Sequence, residues 1–576
     1  MRSLLTRLFQ QRVIPGLALL LLMPAVLFAQ DEKDLAPVTR TYAITNVNII
    51  QGLGRKIDQG VIIMKDGLIT SVGKGITIPA DAIVIKADSM YVYAGFIDGL
   101  SHTGVTKPKE DSKERPKDPG NPSPAVAGIN PQVDVRSFLN PADKSVEDAR
   151  SVGFTVAQVV PYGNLLPGQS AIVLMGGKSA DDMMLVNKTA LYSELTGASN
   201  VYPATIIGVM AKWRDLYRNA IISKSNESIY ASNRAGLTRP VADHILEAFY
   251  PVIEQKMPVL FKAEKILDVQ RVFTLKSDLG FPLVLADVKE GWPMINKIKT
   301  SGVKVFLSVD LPEEKKKDDK KKDDLPAGQA GKKETAPKPK TSGDIEKEGL
   351  EKRKAEAIAN YAAQASGFQK AGIPFGFSTM SAKAKDIPAN LRRMIAAGLS
   401  EDAALAALTT TPAQLLGLSD RMGTIDNGKM ANLVISDKPY FNEKAKVRYV
   451  FVDGIMYKLE AKEAPKKTDG VKVVANGSWS YTTETPQGTG TGKLVIKDDN
   501  GNLSGTITNS MANKETEIKN ASLDGSTLTF AFDFDAGGNT MTIDVSVGID
   551  GDTFEGTMNV ASFGSFPIKG TKDPKK

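Results

Sequence analysis

Two histidines, His102 and His244, are the only imidazoles among 576 residues, and there is no cysteine. Thiolate ligands, a thiol nucleophile, disulfides and a lipid-bearing cysteine are excluded together. His102 lies in the stretch YAGFIDGLSHTG, residues 93–104, four residues after Asp98 and beside Ser101. Lys262 closes the apolar run PVLFK, Asp287 closes FPLVLAD, and Ser378, Thr379 and Met380 close IPFGFSTM. Imidazoles and carboxylates at strand ends hold divalent ions, which lower the pKa of a bound water toward neutrality. Without a metal, Ser101, Ser378, Thr379 and Lys262 are the nucleophiles left near these ends. No Ser-His-Asp spacing accompanies them, and such a nucleophile needs a base.

The elements that must position these residues follow from pattern and length. A chain this long holds several domains. Hydrophobic residues make up 42% and charged residues 24%, the balance of a soluble globular protein. Residues 1–30 carry a basic start and an apolar run from Val13 to Ala29, read as a cleaved signal peptide rather than a membrane anchor. The expected location is periplasmic or secreted, with no integral membrane segment after cleavage. Removing Arg2, Arg7 and Arg12 takes the formal charge from +7 to about +4, too little and too dispersed for nucleic acid.

Residues 40–92 and 421–460 read as short strands punctuated by turns and predict one composite β-sandwich built from both flanks. Between them, over 93–420, runs such as GFTVAQVV, PVLFKA, FPLVLAD and VKVFLSV alternate with helical patterns. That alternation predicts an α/β fold with a (β/α)8 TIM-like barrel. Residues 313–342 mix Lys and Asp with almost nothing apolar. They read as a disordered insert rather than a lysine-rich binding tract. Residues 461–470 are a linker. Residues 471–576 alternate Thr-rich strands with DDNGN, LDGS, AGGN and DGD turns, and predict an all-β barrel or sandwich module. Trp479 reads as its core plug rather than as a ligand-stacking ring.

AGFIDGLSH resembles the first barrel strand of amidohydrolase-superfamily enzymes, a G-x-x-D-x-H-x-H pattern. GIP at 372–374 and LSEDAALAALTTTPAQLLGLSDRMGTIDNGKMANLVI extend the resemblance to the last strand, the next helix and the return to the sandwich. VGFTVAQVVPYGNLLPGQSAIVLMGG and PATIIGVMAKWRDLYRNA look like an exported imidazolonepropionase-like branch, so the likeness spans about residues 40 to 460. It implies a barrel holding zinc or another divalent metal by His-x-His, a mid-barrel carboxylate or modified Lys, two later His and a last-strand Asp. This sequence departs from that set almost everywhere. Leu100 stands at the first His, Lys262 and Asp287 at the two later His, and Met380 at the Asp. His102 alone remains.

The departures predict a dismantled site. Leu100 and Met380 become apolar fillers, and His102 a hydrogen-bonded structural residue. His102 with Asp287 would give only two metal donors from two strands. Lys262 is expected to replace the lost positive charge and pair with Asp287. His244 is read as opening a helix away from the barrel mouth. No metal or other cofactor is expected. The leading functional reading is a pseudoenzyme acting as partner subunit or binding protein, either a homo-oligomer or a heteromer with an intact amidohydrolase. Two others stand beside it: a hydrolase of C–N or cyclic amide bonds with an atypical site, and an envelope- or glycan-binding module led by the C-terminal domain.

Overall fold

The computed structural model describes residues 40–52, 54–108, 116–313, 342–459, 475–485, 488–499, 502–509, 515–536, 539–560 and 564–574. The signal peptide, the linker and nearly all of the charged insert fall outside these residues. The chain divides into two units, Met1–Glu460 and Ala461–Lys576.

In the first unit, strands from both flanks join in one eight-stranded sheet. Tyr42–Gly52 pairs with Arg55–Lys65 along its length, and on its other side with Ile83–Lys86 and then Tyr91–Ala94. Leu433–Ser436 continues the sheet from Tyr91–Ala94. Where the sequence predicts a sandwich, the hydrogen-bond ladder is therefore continuous and forks at Tyr42–Gly52. Its core is mostly aliphatic, with Ile44, Val47, Ile49, Ile62 and Leu433 fully buried beside the edge-to-face pair Tyr42 and Phe451.

The central sheet has eight strands in sequential order. They are β1 (Phe96–Ser101), β2 (Phe154–Val159), β3 (Gly168–Leu174), β4 (Met184–Glu194), β5 (Val259–Lys262), β6 (Leu283–Val288), β7 (Lys304–Ser308) and β8 (Phe375–Ser378). β1, β2, β3 and β6 are buried at every position, as strands covered on both faces must be. The strict alternation expected from the sequence breaks at β3, which runs antiparallel to both β2 and β4. All other neighbours are parallel.

The sheet is barrel-like because β8 returns to β1. Ser378 Oγ donates to the Leu100 carbonyl at 3.0 Å, and the Thr379 amide donates to Asp98 Oδ1 at 3.0 Å. Phe306 of β7 fills the interior beside this seam. A Cβ on Gly99 would lie 2.0 Å from the Phe306 ring, and one on Gly376 would lie 2.7 Å from it. Glycine on both β1 and β8 is what leaves room for the ring. Leu100, Val160, Ala190, Tyr192, Leu260 and Ala286 pack with Phe306 into one apolar cluster. The interior is a filled core, not a pore.

The second unit is a nine-stranded antiparallel sheet. Its two end strands, Glu515–Glu517 and Lys519–Asp524, are consecutive in the chain, so the order runs round from one to the other. Trp479 is fully buried there and donates its indole N–H to the Ala475 carbonyl at 3.0 Å.

Candidate functional site

Side-chain alternation decides what reaches the C-terminal ends of the barrel strands. On β4, Leu191 and Ser193 face outward, as does Leu195 just past its end. Trp213, from the helix Ile206–Ser232, donates to Ser193 Oγ at 2.9 Å, and Ser193 donates to the Leu165 carbonyl at 2.8 Å. That anchor leaves Tyr192 and Glu194 on the inner face. On β5, Val259 and Phe261 join the outer core, so Leu260 and Lys262 point inward. Asp287 breaks the alternation of β6. Its φ of 54° and the register shift between Leu285 and Val288 turn its carboxylate toward the end of β8. There Oδ1 accepts from Ser378 at 3.1 Å and Oδ2 from Ser381 at 2.7 Å.

The expected Lys262–Asp287 ion pair does not form. Lys262 Nζ lies 3.1 Å from Glu264 Oε1 and 3.9 Å from Glu194 Oε2. Lys289 extends the network, 4.0 Å from Glu264 and 2.9 Å from Asp310. The reason is the bulge in β6, which commits Asp287 to serine hydroxyls. Glu194 and Glu264 occupy the partner positions instead. Sequence reading missed both, although Glu194 is the one charge closing the apolar run TALYSE.

Burial shapes the electrostatics. Desolvation raises the Glu194 carboxyl to about 7, with Lys262 opposing the shift and Glu264 adding to it. Burial works against the Lys262 ammonium, but Glu264 and Glu194 outweigh it and hold its pKa above the ordinary lysine value. Desolvation also raises Asp287, against hydrogen bonds from Ser381 and Ser308. At Asp98 burial lifts the carboxyl to about 7, although Thr379 and the Leu100 amide both donate to it.

Leu100 is fully buried in the apolar cluster, and Met380 packs against that cluster just beyond β8. His102 stacks on Tyr162, with ring centroids 3.8 Å apart, and its Nδ1 lies 2.9 Å from the Val160 carbonyl. A carbonyl only accepts, so Nδ1 carries the hydrogen. Burial lowers this imidazole to about 4, so it is neutral at pH 7. His244 opens the helix His244–Glu247, is exposed, and lies 2.9 Å from Glu247.

The hydroxyls are equally committed. Ser101 donates to Thr103, Ser378 shares its one hydrogen between the Leu100 carbonyl and Asp287, and Thr379 donates to Asp98. None of these bonds reaches His102 or Lys262; the groups that Ser378 and Thr379 meet are the buried carboxylates of Asp287 and Asp98. Among the described residues, no three His, Asp or Glu side chains group as a metal site would.

With this geometry in view, the comparisons locate the fold. Residues 352–457 match the Amidohydrolase family. That stretch covers β8, the helices after it and the return to the flanking sheet. An amidohydrolase from Thermotoga maritima MSB8 superposes with a TM-score of 0.57 at 19% identity, over 73% of this chain and all of that one. The likeness is one of fold. A prolidase complexed with N-methylphosphonate-L-proline scores 0.41 at 14% identity, over 73% of this chain and all of its own. An adenosine deaminase from Xanthomonas campestris with bound zinc scores 0.38 at 13%, over 73% and 93%. Both lie too far away to bear on function. No curated protein sequence matches the chain.

Proposed function

We propose that this chain is an exported amidohydrolase-like protein of the imidazolonepropionase-like branch that holds no metal, does not hydrolyse amides, and serves as a partner subunit or binding protein. The observation that carries the reading is Lys262. Where the resemblance puts a metal-binding imidazole, an ammonium sits against Glu264 and Glu194. A positive charge there opposes a divalent ion directly. The other positions agree: Leu100 and Met380 offer an aliphatic side chain and a thioether, and Asp287 is occupied by serine hydroxyls. His102 keeps one ring nitrogen, which leaves the set short of the usual four donors. These residues do not fit a divalent ion.

Export rests on the leader, with its basic start and apolar run from Val13 to Ala29. Among the described residues no helix is long and apolar enough to cross a membrane. The partner is a second copy of this chain or an intact relative, with size measured by light scattering. The deciding experiment is elemental analysis of the purified chain together with amidase assays in added zinc or manganese. The expected result is well under one equivalent of metal and no activity. Stoichiometric metal, or hydrolysis that tracks added metal, overturns the proposal.

A further inference from the structure

The helix Ile206–Ser232 is covered on one side only. Val209, Trp213, Leu216 and Ala220 sit in the outer core of the barrel. At about 100° per residue they lie roughly opposite a second line, Ile207, Ala211, Arg218, Ile222, Ser225 and Ile229, which spans about 60° of arc. All six are exposed. Ile207 is 82% exposed, Ile222 58% and Ile229 53%.

Isoleucines scattered singly over a surface are ordinary, but these share one helix face. Of the fourteen large apolar side chains exposed among the described residues, seven fall between Tyr202 and Val241. Nothing local calls for them. A β-branched side chain loses rotamer freedom in a helix, so an exposed position favours Ala, Lys or Glu instead. A helix that is apolar on two opposite faces has a second surface to bury.

Length and charge indicate what covers it. The 27 residues make a rod about 40 Å long. Paired along that length, the line buries on the order of 600 Å², comparable with the ~800 Å² that each partner gives to a standard interface. The line is also self-complementary. Set antiparallel to a second copy about a two-fold axis at Arg218, Ile207 meets Ile229 and Ala211 meets Ser225. Asp215 then lies one turn from Arg218 of the second copy, on each side of the axis. Asp215 accepts from Lys212 and Asn219 on its own helix, and a carboxylate has room for further donors. Arg218 has no ion pair among the described residues. Each guanidinium near the axis therefore gains a carboxylate from the other chain, the self-matching that an isologous contact requires. We propose that this face of the helix Ile206–Ser232 is a two-fold interface between two copies of the chain. It rests on the partner-subunit part of the reading above and not on the missing metal.

Light scattering of the mature full-length chain at micromolar concentration should give twice the chain mass. I222E/I229E puts charges on the apolar line and should raise the dissociation constant at least about 100-fold. Both positions are exposed, so its circular dichroism should remain that of the folded chain. D215R leaves only cations at the centre and should also separate the copies. D215R/R218D exchanges the two charges and should dimerise again, because a two-fold pair stays complementary after the exchange, whereas a partner of different sequence would not. A monomeric wild-type chain overturns the proposal, whether it stays free or sediments with lipid vesicles. So does a dimer that I222E/I229E leaves intact, or a folded D215R/R218D chain that stays apart. Elemental analysis is untouched by any of these results, so the interface and the metal-free reading fail separately.

Discussion

On β4, Tyr192 and Glu194 stand two residues apart in different environments. The same step separates Leu260 from Lys262 on β5 and Phe306 from Ser308 on β7. The inner positions interlock as an apolar plug, whereas the outer ones meet at a rim of charges and hydroxyls. Both layers come from one inward-facing register, so the difference is one of depth. In the plug, no charge finds water or a partner, and only shape matters. At the rim, a half-buried ammonium survives because two carboxylates share it. A site vacated by a metal is thus filled in two ways on the proposed reading, by Leu100 and Met380 below and by Lys262 above.

The plug should yield the largest effect. Phe306→Ala removes a fully buried ring and leaves Gly99 and Gly376 facing a void, at about 4 kcal/mol of stability. Denaturant titration measures this. A loss under 1 kcal/mol would mean the interior collapses freely and is no rigid plug.

The rim comes second. Lys262→Met leaves Glu194 and Glu264 without their shared cation. The side chain is 24% exposed, so the loss at pH 8 should be about 2 kcal/mol, below the range for fully buried pairs. Double-mutant cycles separate the partners. Lys262 should couple to Glu264 by about 1 kcal/mol, and to Asp287 by almost nothing. A larger coupling to Asp287 would reinstate the pair that sequence alone predicts.

That contrast marks how far sequence carried the reading. Strands buried on both faces announce themselves as apolar runs, so FTVAQV and LVLADV were legible. Motifs beside Leu100, His102, Lys262, Asp287 and Met380 put them at strand ends, and at or just past the ends of Phe96–Ser101, Val259–Lys262, Leu283–Val288 and Phe375–Ser378 is where they lie. The turn of Asp287 into a left-handed backbone conformation was not legible, because no local residue type demands it. Nor was the antiparallel β3, since GQSAIVL reads equally well in either direction. Ion-pair partners were hidden for a further reason: Glu194 and Lys262 meet only through sheet register, 68 residues apart in the chain.

Glu194 offers a subtler test, read as a pH slope. Its folded-state pKa of about 7 lies above the unfolded carboxyl, so it stabilises at low pH and the contribution is lost as pH rises through 7. Glu194→Gln mimics the protonated form. The variant should match the wild type near pH 5 and exceed it by about 2 kcal/mol at pH 8. Thermal melts across that range report the divergence. Parallel curves would show that Glu194 ionises at the rim without penalty.

The smallest effect belongs to His102, and its sign should reverse with pH. His102→Phe keeps a ring against Tyr162 but strips the Val160 carbonyl of its donor, a loss of about 1 kcal/mol at pH 8. Burial holds the folded imidazole near 4, against 6.5 for the free side chain. Between those values the unfolded chain takes up a proton that the folded chain refuses, so wild-type stability falls as pH drops through this window. Phenylalanine has no such linkage. The two stability curves should therefore cross between pH 6.5 and 4, with the variant the more stable on the acid side. If they keep a constant offset instead, His102 is wetter than its packing implies, and the rim extends down to the first strand.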